Sequence, residues 1–152
     1  MLEAVGAYEA AVHGAPFAHT REVRDDQNRT LSTHRWQGSR VFSIVRQTII
    51  NALGEAATKS GAEIVFNSQA VAASSAGEVT LADGKRLKAD LVIGADGVNS
   101  KVRDSLGLTD VRKPLVDGCT RLLIPKIAEE LGQEGATTIE YWSGSRRLLY
   151  TP

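Results

Sequence analysis

The stretch ADLVIGADGVNSKVR, residues 89–103, constrains the fold of this chain more than any other part of the sequence. Its apolar run, Leu91–Ile93, is continuous, as in a strand that is covered on both faces. The strand stops at a Gly-Ala-Asp-Gly turn, after which Asn99 or Ser100 can cap a helix that Gly107 can end. A strand that leads through a turn into a helix forms a crevice at the carboxyl end of a sheet, where open α/β sheets bind ligands. The stretch therefore predicts a ligand-facing turn in an α/β fold.

The residues of this turn have a definite chemistry. The carboxylate of Asp96 can accept hydrogen bonds from hydroxyl groups or pair with a cation, while Gly94 and Gly97 allow close approach of backbone or ligand. The helix that begins near Ser100 presents N–H groups that favour an anion such as phosphate. The same residues also suit a tight turn that only caps a helix. These arguments support the two interpretations equally.

The rest of the chain predicts a mixture of helices and hairpins, so the expected fold class is α/β with a mixed, α+β character. The most regular helical pattern follows Val45 and ends before Gly61. Turn-forming residues predict further hairpins, one of them at Asp83-Gly84. The other expected elements are an N-terminal helix (2–12), a hairpin (19–35), a strand (41–45), β-rich segments (63–75 and 78–93), a strand after Pro114, a brief polar helix or loop (126–135), and two strands joined at Ser143-Gly144.

Composition excludes several classes of function. The chain has 152 residues, and its 18 Lys and Arg balance its 18 Asp and Glu, so no basic surplus predicts a nucleic-acid or membrane partner. No apolar run approaches the roughly 20 residues that span a bilayer. The N-terminus lacks the cationic lead of a secretory signal, and the single cysteine, Cys119, cannot form an internal disulfide. A cytoplasmic location is therefore expected.

The histidines and the aromatic residues near the C-terminus give no clear sign of a site. His13, His19 and His34 are not clustered, so no metal site is expected and no catalytic base is named. Aromatic residues near the C-terminus could line an aromatic pocket, but their strand spacing favours packing within a sheet. These aromatic residues are Tyr141, Trp142 and Tyr150.

The segment DLVIGADGVNSKVR resembles the DG motif of the FAD-dependent aromatic-ring hydroxylases, the class A flavoprotein monooxygenases that include p-hydroxybenzoate and salicylate hydroxylases. The resemblance implies a turn beside the FAD pyrophosphate that also takes part in NAD(P)H binding. Arg103 would then act in the helix of the motif, by ion pairing or near the nicotinamide nucleotide. The matching positions are Asp90, Gly94, Asp96, Gly97, Ser100 and Arg103.

A second segment, VFSIVRQTIINALGEAATKSGAEIVFNSQAV, resembles the part of the same family in which an arginine opens a helix that leads to a strand. The resemblance implies that Arg46 contacts the flavin and that the backbone at Val71 passes the adenine. Without it, Arg46 is a surface arginine that mildly opposes the helix dipole, and core packing explains Val71 nearly as well. A guanidinium is never neutral, which suits it to phosphate or to polar flavin atoms.

The resemblance also implies a domain organisation. Residues 1–113 would form part of an FAD- and NAD(P)-binding, Rossmann-like domain with a β-hairpin or meander, and residues 114–152 would begin the sheet of the substrate domain. The sequence contains no GxGxxG fingerprint and no downstream Gly-Asp motif, so an internal fragment or a truncated product is expected. Strands without their usual neighbours leave open edges, which predicts a homodimer or association through those edges.

The implied function is an FAD-dependent monooxygenase that uses NAD(P)H and O₂ to hydroxylate a small aromatic substrate. Two alternatives remain open at this stage. One is another FAD-dependent oxidoreductase of the same fold, of the epoxidase or prenyl reductase type. The other is a non-catalytic chain that folds and associates but binds no flavin, which the missing glycine fingerprint favours.

Overall fold

The structure of the protein, a computed structural model, describes residues 1–109, 111–116, 118–125 and 136–152. The predicted polar helix or loop at 126–135 lies outside the described residues. The chain forms two compact units: one comprises Met1–Ile64 and Leu122–Pro152, and the other comprises Val65–Arg121. The predicted mixed α/β fold is confirmed, with helices and three separate sheets in the described residues.

Two helices pack together in the first unit. Helix α1 spans Tyr8–Val12 and helix α2 spans Arg46–Lys59. Their contact is built from small side chains, since Ala7, Ala11 and Ala52 are all buried there. The pattern around α2 is predicted correctly, but the N-terminal helix is shorter than expected because Leu2 to Gly6 form turns instead.

A four-stranded sheet completes the first unit, with the strand order β3-β2-β8-β9. The outer pairs are antiparallel hairpins, as the sequence predicts, and β2 pairs with β8 in parallel. A two-residue ladder joins β1 (Phe17–Ala18) to β4 (Val41–Phe42), so the strand expected at 41–45 is only partly formed. The strands of the larger sheet are β2 (Thr20–Asp25), β3 (Thr30–Arg35), β8 (Thr137–Ser143) and β9 (Arg146–Tyr150).

The second unit consists of a three-stranded antiparallel sheet and a short helix. Strands β5 (Ala70–Ala73), β6 (Glu78–Leu81) and β7 (Arg86–Lys88) pair in that order. The predicted Asp83-Gly84 turn joins β6 to β7. Helix α3 spans Lys101–Ser105 and is tied to β5, because the Ala73 N–H donates to Ser105 Oγ at 2.9 Å.

Three of the predicted strands are absent from the described residues, which corrects the sequence analysis. Residues 91–93 form no strand, and the side chains of Leu91 and Ile93 are 74% and 78% exposed. Residues 63–66 and the described part of 115–125 also form no strand. The physical reason is that a strand is stabilised by a neighbour that accepts its hydrogen bonds and covers its side chains. In the described part of the chain, no strand lies beside these segments.

The predicted division of the chain at residues 113/114 stays a prediction. What the structure shows is that β8 and β9 share a sheet with the hairpin of β2 and β3. Among the described helices, none combines the length and the apolar character needed to cross a membrane.

Candidate functional site

The turn that was predicted to face a ligand is held by hydrogen bonds to the Asp96 carboxylate. The Ser100 hydroxyl donates to one carboxylate oxygen, and the Val102 N–H donates to the other at 3.3 Å. Ser100 is the N-cap of α3, where its Oγ also accepts a hydrogen bond from the Arg103 N–H at 3.0 Å. The helix-capping interpretation of this turn is therefore part of what the structure shows.

The charge of Asp96 is stabilised by this arrangement. The hydrogen bond from the Ser100 hydroxyl holds the pKa of Asp96 below its usual value, against the opposing effect of burial, and the Val102 N–H adds to the lowering. The carboxylate accepts from the Val102 N–H and Ser100 Oγ accepts from the Arg103 N–H, so both N–H groups at the start of α3 are already used. This corrects the expectation that the helix start would offer free N–H groups to an external anion.

Unused donors lie one step earlier, in the turn itself. Among the described residues, the backbone N–H groups of Gly97, Val98 and Asn99 have no hydrogen-bond acceptor other than solvent. Gly97 has a φ of +86°, and no atom lies within 4 Å of where a Cβ would stand. Consecutive free N–H groups at an open, glycine-containing turn suit phosphate oxygens.

Gly94 has a different reason to be glycine. A Cβ at Gly94 would stand 3.0 Å from Cγ1 of Val102, so the chain entering the turn packs directly on α3. Gly94 therefore sets the distance between the turn and the helix.

Two arginines also hold the turn. Arg103 and Arg112 both donate from NH2 to the carbonyl oxygen of Val98, at 3.0 and 2.8 Å. Asp104 lies 3.5 Å from a nitrogen of each guanidinium, so a single carboxylate faces two cations. The motif points to Arg103 but not to Arg112, since nothing in it marks an arginine that follows the helix.

A cavity of about 200 Å³ lies beside the turn. It is bordered by Gly94 and Ser100 of the turn, by α3 and by the end of β5, and Arg103 is part of its lining. The Nε of Arg103 is buried and has no hydrogen-bond partner among the described residues. The cavity is therefore bordered by an arginine that has one unused donor.

The other predicted cofactor residues lie on α2 and β5. Arg46 is the first residue of α2, it is exposed, and it makes no hydrogen bond or ion pair with another described residue. Val45, the N-cap, supplies no capping side chain, and the first turn of α2 holds no acidic residue. Val71 lies in β5 of the second unit and is 37% exposed. The structure thus brings Gly94, Asp96, Gly97, Ser100 and Arg103 together, while Arg46 belongs to the other compact unit.

The aromatic residues of β8 line an open cavity of about 290 Å³ at the β8–β9 turn. The guanidinium of Arg147 lies 5.6 Å from the centre of the Trp142 ring, and Tyr141 and Arg146 complete the polar and aromatic lining. Among the described residues, no group of three His, Cys, Asp or Glu side chains is placed to hold a metal ion.

Most of the chain, including the turn and α2, is matched by a family of known proteins. A family model described as an FAD binding domain matches residues 1–140. The chain belongs to this family of FAD-binding domains. FAD is the cofactor of the family, so the predicted resemblance and the predicted cofactor are confirmed at the level of the family.

Individual relatives of this FAD-binding domain agree with the family match. The chain is 38% identical to a probable 2-heptyl-3-hydroxy-4(1H)-quinolone synthase of Rhodococcus erythropolis, over 99% of the chain and 40% of that protein. It is 34% identical to a 2-heptyl-3-hydroxy-4(1H)-quinolone synthase of Mycobacteroides abscessus, over 99% of the chain and 41% of that protein. The chain thus spans about 40% of the length of the curated relatives it matches.

A solved structure shares the fold of this FAD-binding domain. A tetrameric form of 2-methyl-3-hydroxypyridine-5-carboxylic acid oxygenase superposes with a TM-score of 0.85 at 38% identity. The match covers 99% of this chain and 42% of that chain.

The described residues fit FAD. The cofactor carries an anionic pyrophosphate, which suits the three N–H groups of residues 97–99 in the second unit. In the first unit, the guanidinium of Arg46, which has no partner among the described residues, suits phosphate or polar flavin atoms. The open space over Gly97 leaves that backbone accessible to such a group. The roles of the individual residues stay predictions.

Proposed function

We propose that the protein is an FAD-dependent monooxygenase that uses NAD(P)H and O₂ to hydroxylate a small aromatic substrate. The observation that carries the proposal is the 38% identity and TM-score of 0.85 to an oxygenase over 99% of the chain. The relatives are enzymes, which supports an enzymatic role rather than a purely structural one. When bound, FAD supplies the redox chemistry, taking electrons from NAD(P)H and passing them to O₂.

In this proposal the residues of the chain bind and orient the cofactor. The N–H groups of Gly97, Val98 and Asn99 would donate to the pyrophosphate. Asp96 would stabilise the conformation of the turn through its hydrogen bonds. Arg46 would add a positive charge at the uncapped start of α2, where the helix dipole also favours an anion. Val71 would offer backbone and apolar surface to the adenine, and Arg103 would face the nicotinamide nucleotide or pair within the turn.

The substrate is proposed to be a nitrogen-containing aromatic ring that carries a hydroxyl or oxo group. The relatives support this class, because one is named for a hydroxypyridine carboxylic acid and others for a hydroxyquinolone. An aromatic and cationic surface such as that of Trp142 and Arg147 is of the kind that packs against such a ring. No residue is proposed as a catalytic base.

The first test is whether the protein holds the cofactor. We expect purified protein mixed with FAD to stay yellow after desalting and to quench flavin fluorescence. Replacing Arg46 with Gln should weaken FAD binding about tenfold, because one charge-assisted contact is lost. Arg86→Gln is the matched control, since Arg86 is exposed on β7 and makes no contact with another described side chain. A colourless wild-type protein after desalting would contradict the proposal and support a non-binding chain.

The second test concerns the reaction. Hydroxylation predicts that a hydroxypyridine or quinolone substrate stimulates NAD(P)H oxidation and takes up one oxygen atom from isotopically labelled O₂. A related reductase would oxidise NAD(P)H without transferring labelled oxygen to the product. Mass spectrometry of the product therefore separates the monooxygenase from the reductase alternative.

Two coarser expectations complete the proposal. Association of identical chains is supported by the tetrameric form of the solved relative, and the outer strands of the sheets offer edges for it. A cytoplasmic location is supported by the exposed free thiol of Cys119.

A further inference from the structure

We propose that Arg112 is a positioning residue that holds the cofactor turn, Gly97–Ser100, in its binding shape. The inference rests on the proposed function, in which the N–H groups of that turn bind FAD. It assigns a role to a residue that lies outside the motif, nine positions beyond Arg103 in the chain.

The contact that carries the inference is the one between Arg112 and the carbonyl of Val98. Arg112 NH2 donates to this oxygen at 2.8 Å and lies 3.4 Å from Oδ1 of Asn99. Its NH1 lies 3.5 Å from Asp104. The guanidinium thus spans the turn and the helix, which a planar group with several donors can do and an ammonium cannot do in the same way.

The direction of these contacts explains why they orient the donors of the turn. The Val98 carbonyl belongs to the same peptide unit as the Asn99 N–H. Both groups lie in the plane of that peptide and point in opposite directions. Holding the Val98 carbonyl in place therefore also fixes the direction of the Asn99 N–H. Gly97 gives the turn no stiffness of its own, because glycine is conformationally permissive.

A second set of hydrogen bonds, made by Asp96 and Ser100, also restrains the turn. Asp96 accepts from the Ser100 hydroxyl and the Val102 N–H, and the Ser100 N–H donates to the Gly97 carbonyl at 3.1 Å. The turn is therefore restrained by two sets of contacts, those of the Asp96 carboxylate and those of the two guanidinium groups. Arg103 and Arg112 share the Val98 carbonyl, so removing one of them should loosen the turn without unfolding it.

The experiment compares Arg112→Ala, Arg112→Lys and the control Lys113→Gln. Lys113 neighbours Arg112 but makes no contact with another described residue, so its replacement removes a charge without touching the turn. FAD affinity is measured by quenching of flavin fluorescence, and amide hydrogen exchange at Ser100 is measured in the protein without cofactor. Thermal melting checks that each variant is folded.

We expect Arg112→Ala to weaken FAD binding about tenfold, the size of one lost charge-assisted hydrogen bond. The Ser100 amide should exchange several-fold faster, and Arg112→Lys should resemble Arg112→Ala more than the wild type. Lys113→Gln should resemble the wild type in both measurements.

Wild-type exchange at Ser100 in Arg112→Ala would overturn the inference, as would an equal loss of FAD affinity in Lys113→Gln, which would indicate a general effect of charge. If the wild-type protein bound no FAD, the proposed function would fail, and the exchange data would still decide whether Arg112 holds the turn.

Discussion

At the scale of single residues, Asp96 shows how one side chain can stabilise the local structure and still belong to a candidate binding site. Its carboxylate accepts hydrogen bonds from Ser100 and Val102, so its charge is directed toward α3. The donors left for a ligand are backbone N–H groups of the following residues. The same aspartate that marks the motif in the sequence therefore acts on a cofactor through the shape of the turn.

Replacing Asp96 with Asn should lower the stability of the protein in a pH-dependent way. The pKa of Asp96 is lowered in the folded protein by the Ser100 hydroxyl, so its ionised form stabilises the fold. This contribution is complete above the pKa of an unfolded aspartate and is lost as the pH falls through the lower, folded value. Melting curves should show Asp96→Asn a few degrees below the wild type at neutral pH, with the gap closing in acid.

Asp90→Asn is the control for this comparison, because Asp90 is exposed and makes no contact with another described residue. A gap between Asp96→Asn and wild type that stayed constant down to the most acidic pH at which both fold would contradict the electrostatic explanation.

Glu140 is a buried carboxylate, and it links three strands. It is 2% exposed in β8 and accepts hydrogen bonds from Arg21 of β2 and from the Trp142 indole at 2.9 Å. It also forms an ion pair with Arg147 of β9 at 2.7 Å. The hydrogen bond from Arg21 holds the pKa of Glu140 below its usual value despite burial, and Arg147 and Trp142 add to this effect.

Replacing Glu140 with Gln should destabilise the first unit by about 1 to 3 kcal/mol, because two arginines and an indole lose an anionic acceptor. Urea unfolding at neutral pH measures the change. Since the folded pKa is lowered, the difference should shrink as the pH falls below the usual glutamate range. Glu63→Gln should leave the unfolding midpoint unchanged, because Glu63 is exposed and makes no hydrogen bond or ion pair through its side chain with another described residue.

At the scale of elements, the turn between β5 and β6 depends on a single close approach. Gly77 has a φ of +77°, and a Cβ there would stand 2.2 Å from the carbonyl oxygen of Ala89. The Ala89 N–H in turn donates to the Gly77 carbonyl at 3.0 Å. Two backbones are therefore in direct contact where β7 leads toward the cofactor turn.

Replacing Gly77 with Ala should cost about 2 to 4 kcal/mol, since it adds a backbone clash to an unfavourable φ. Gly84→Ala separates the two causes, because Gly84 has a φ of +86° but open space around it. It should cost only about 1 kcal/mol. Urea unfolding monitors both variants, and equal losses would show that φ alone, without the close approach, decides the effect.

The hairpins, α2 and the capped α3 could be predicted from the sequence because their signals are local. A turn at Asp83-Gly84, a capping serine and a helical repeat all act within a few residues. The strand expected at Leu91–Ile93 could not be predicted in the same way, because its formation depends on a neighbour rather than on its own residues. The N-terminal helix began late because residues 2–6 prefer turns around Gly6, which has a φ of +70°.

The candidate site was predicted in part. The DG motif correctly marked the turn, but the free donors lie at residues 97–99 rather than at the helix start. Arg112 was missed because its shortest hydrogen bond is to a backbone carbonyl, which carries no sequence signal. The pairing of β8 with β2 could not be predicted from local patterns either, because more than a hundred residues separate the two strands.

At the scale of the whole molecule, the outer strands determine how chains can associate. Strand β9 is an edge strand of the described sheet, and Leu148 and Leu149 are 66% and 47% exposed on it. Edge strands with exposed apolar side chains favour pairing with another chain. The proposed association of identical chains can therefore be tested at this edge.

Replacing Leu148 with Lys should lower the apparent mass of the protein at a given concentration, because a charged side chain on an edge strand disfavours pairing. Light scattering over a range of concentrations measures the change. Val5→Lys is the control, because Val5 is also exposed but lies outside the strands. A wild-type protein that stays monomeric at high concentration would contradict association through this edge.

The parallel pairing of β2 with β8 has a consequence for the order of folding during synthesis. Residues 20–25 pair with residues 137–142, so the edge of β2 opposite β3 stays unpaired until the ribosome has made more than a hundred further residues. At translation rates of about 5–20 residues per second, that delay lasts on the order of 5 to 25 seconds. The second unit, Val65–Arg121, is contiguous and is finished within that interval. The cofactor turn can therefore be in place before the sheet of the first unit closes.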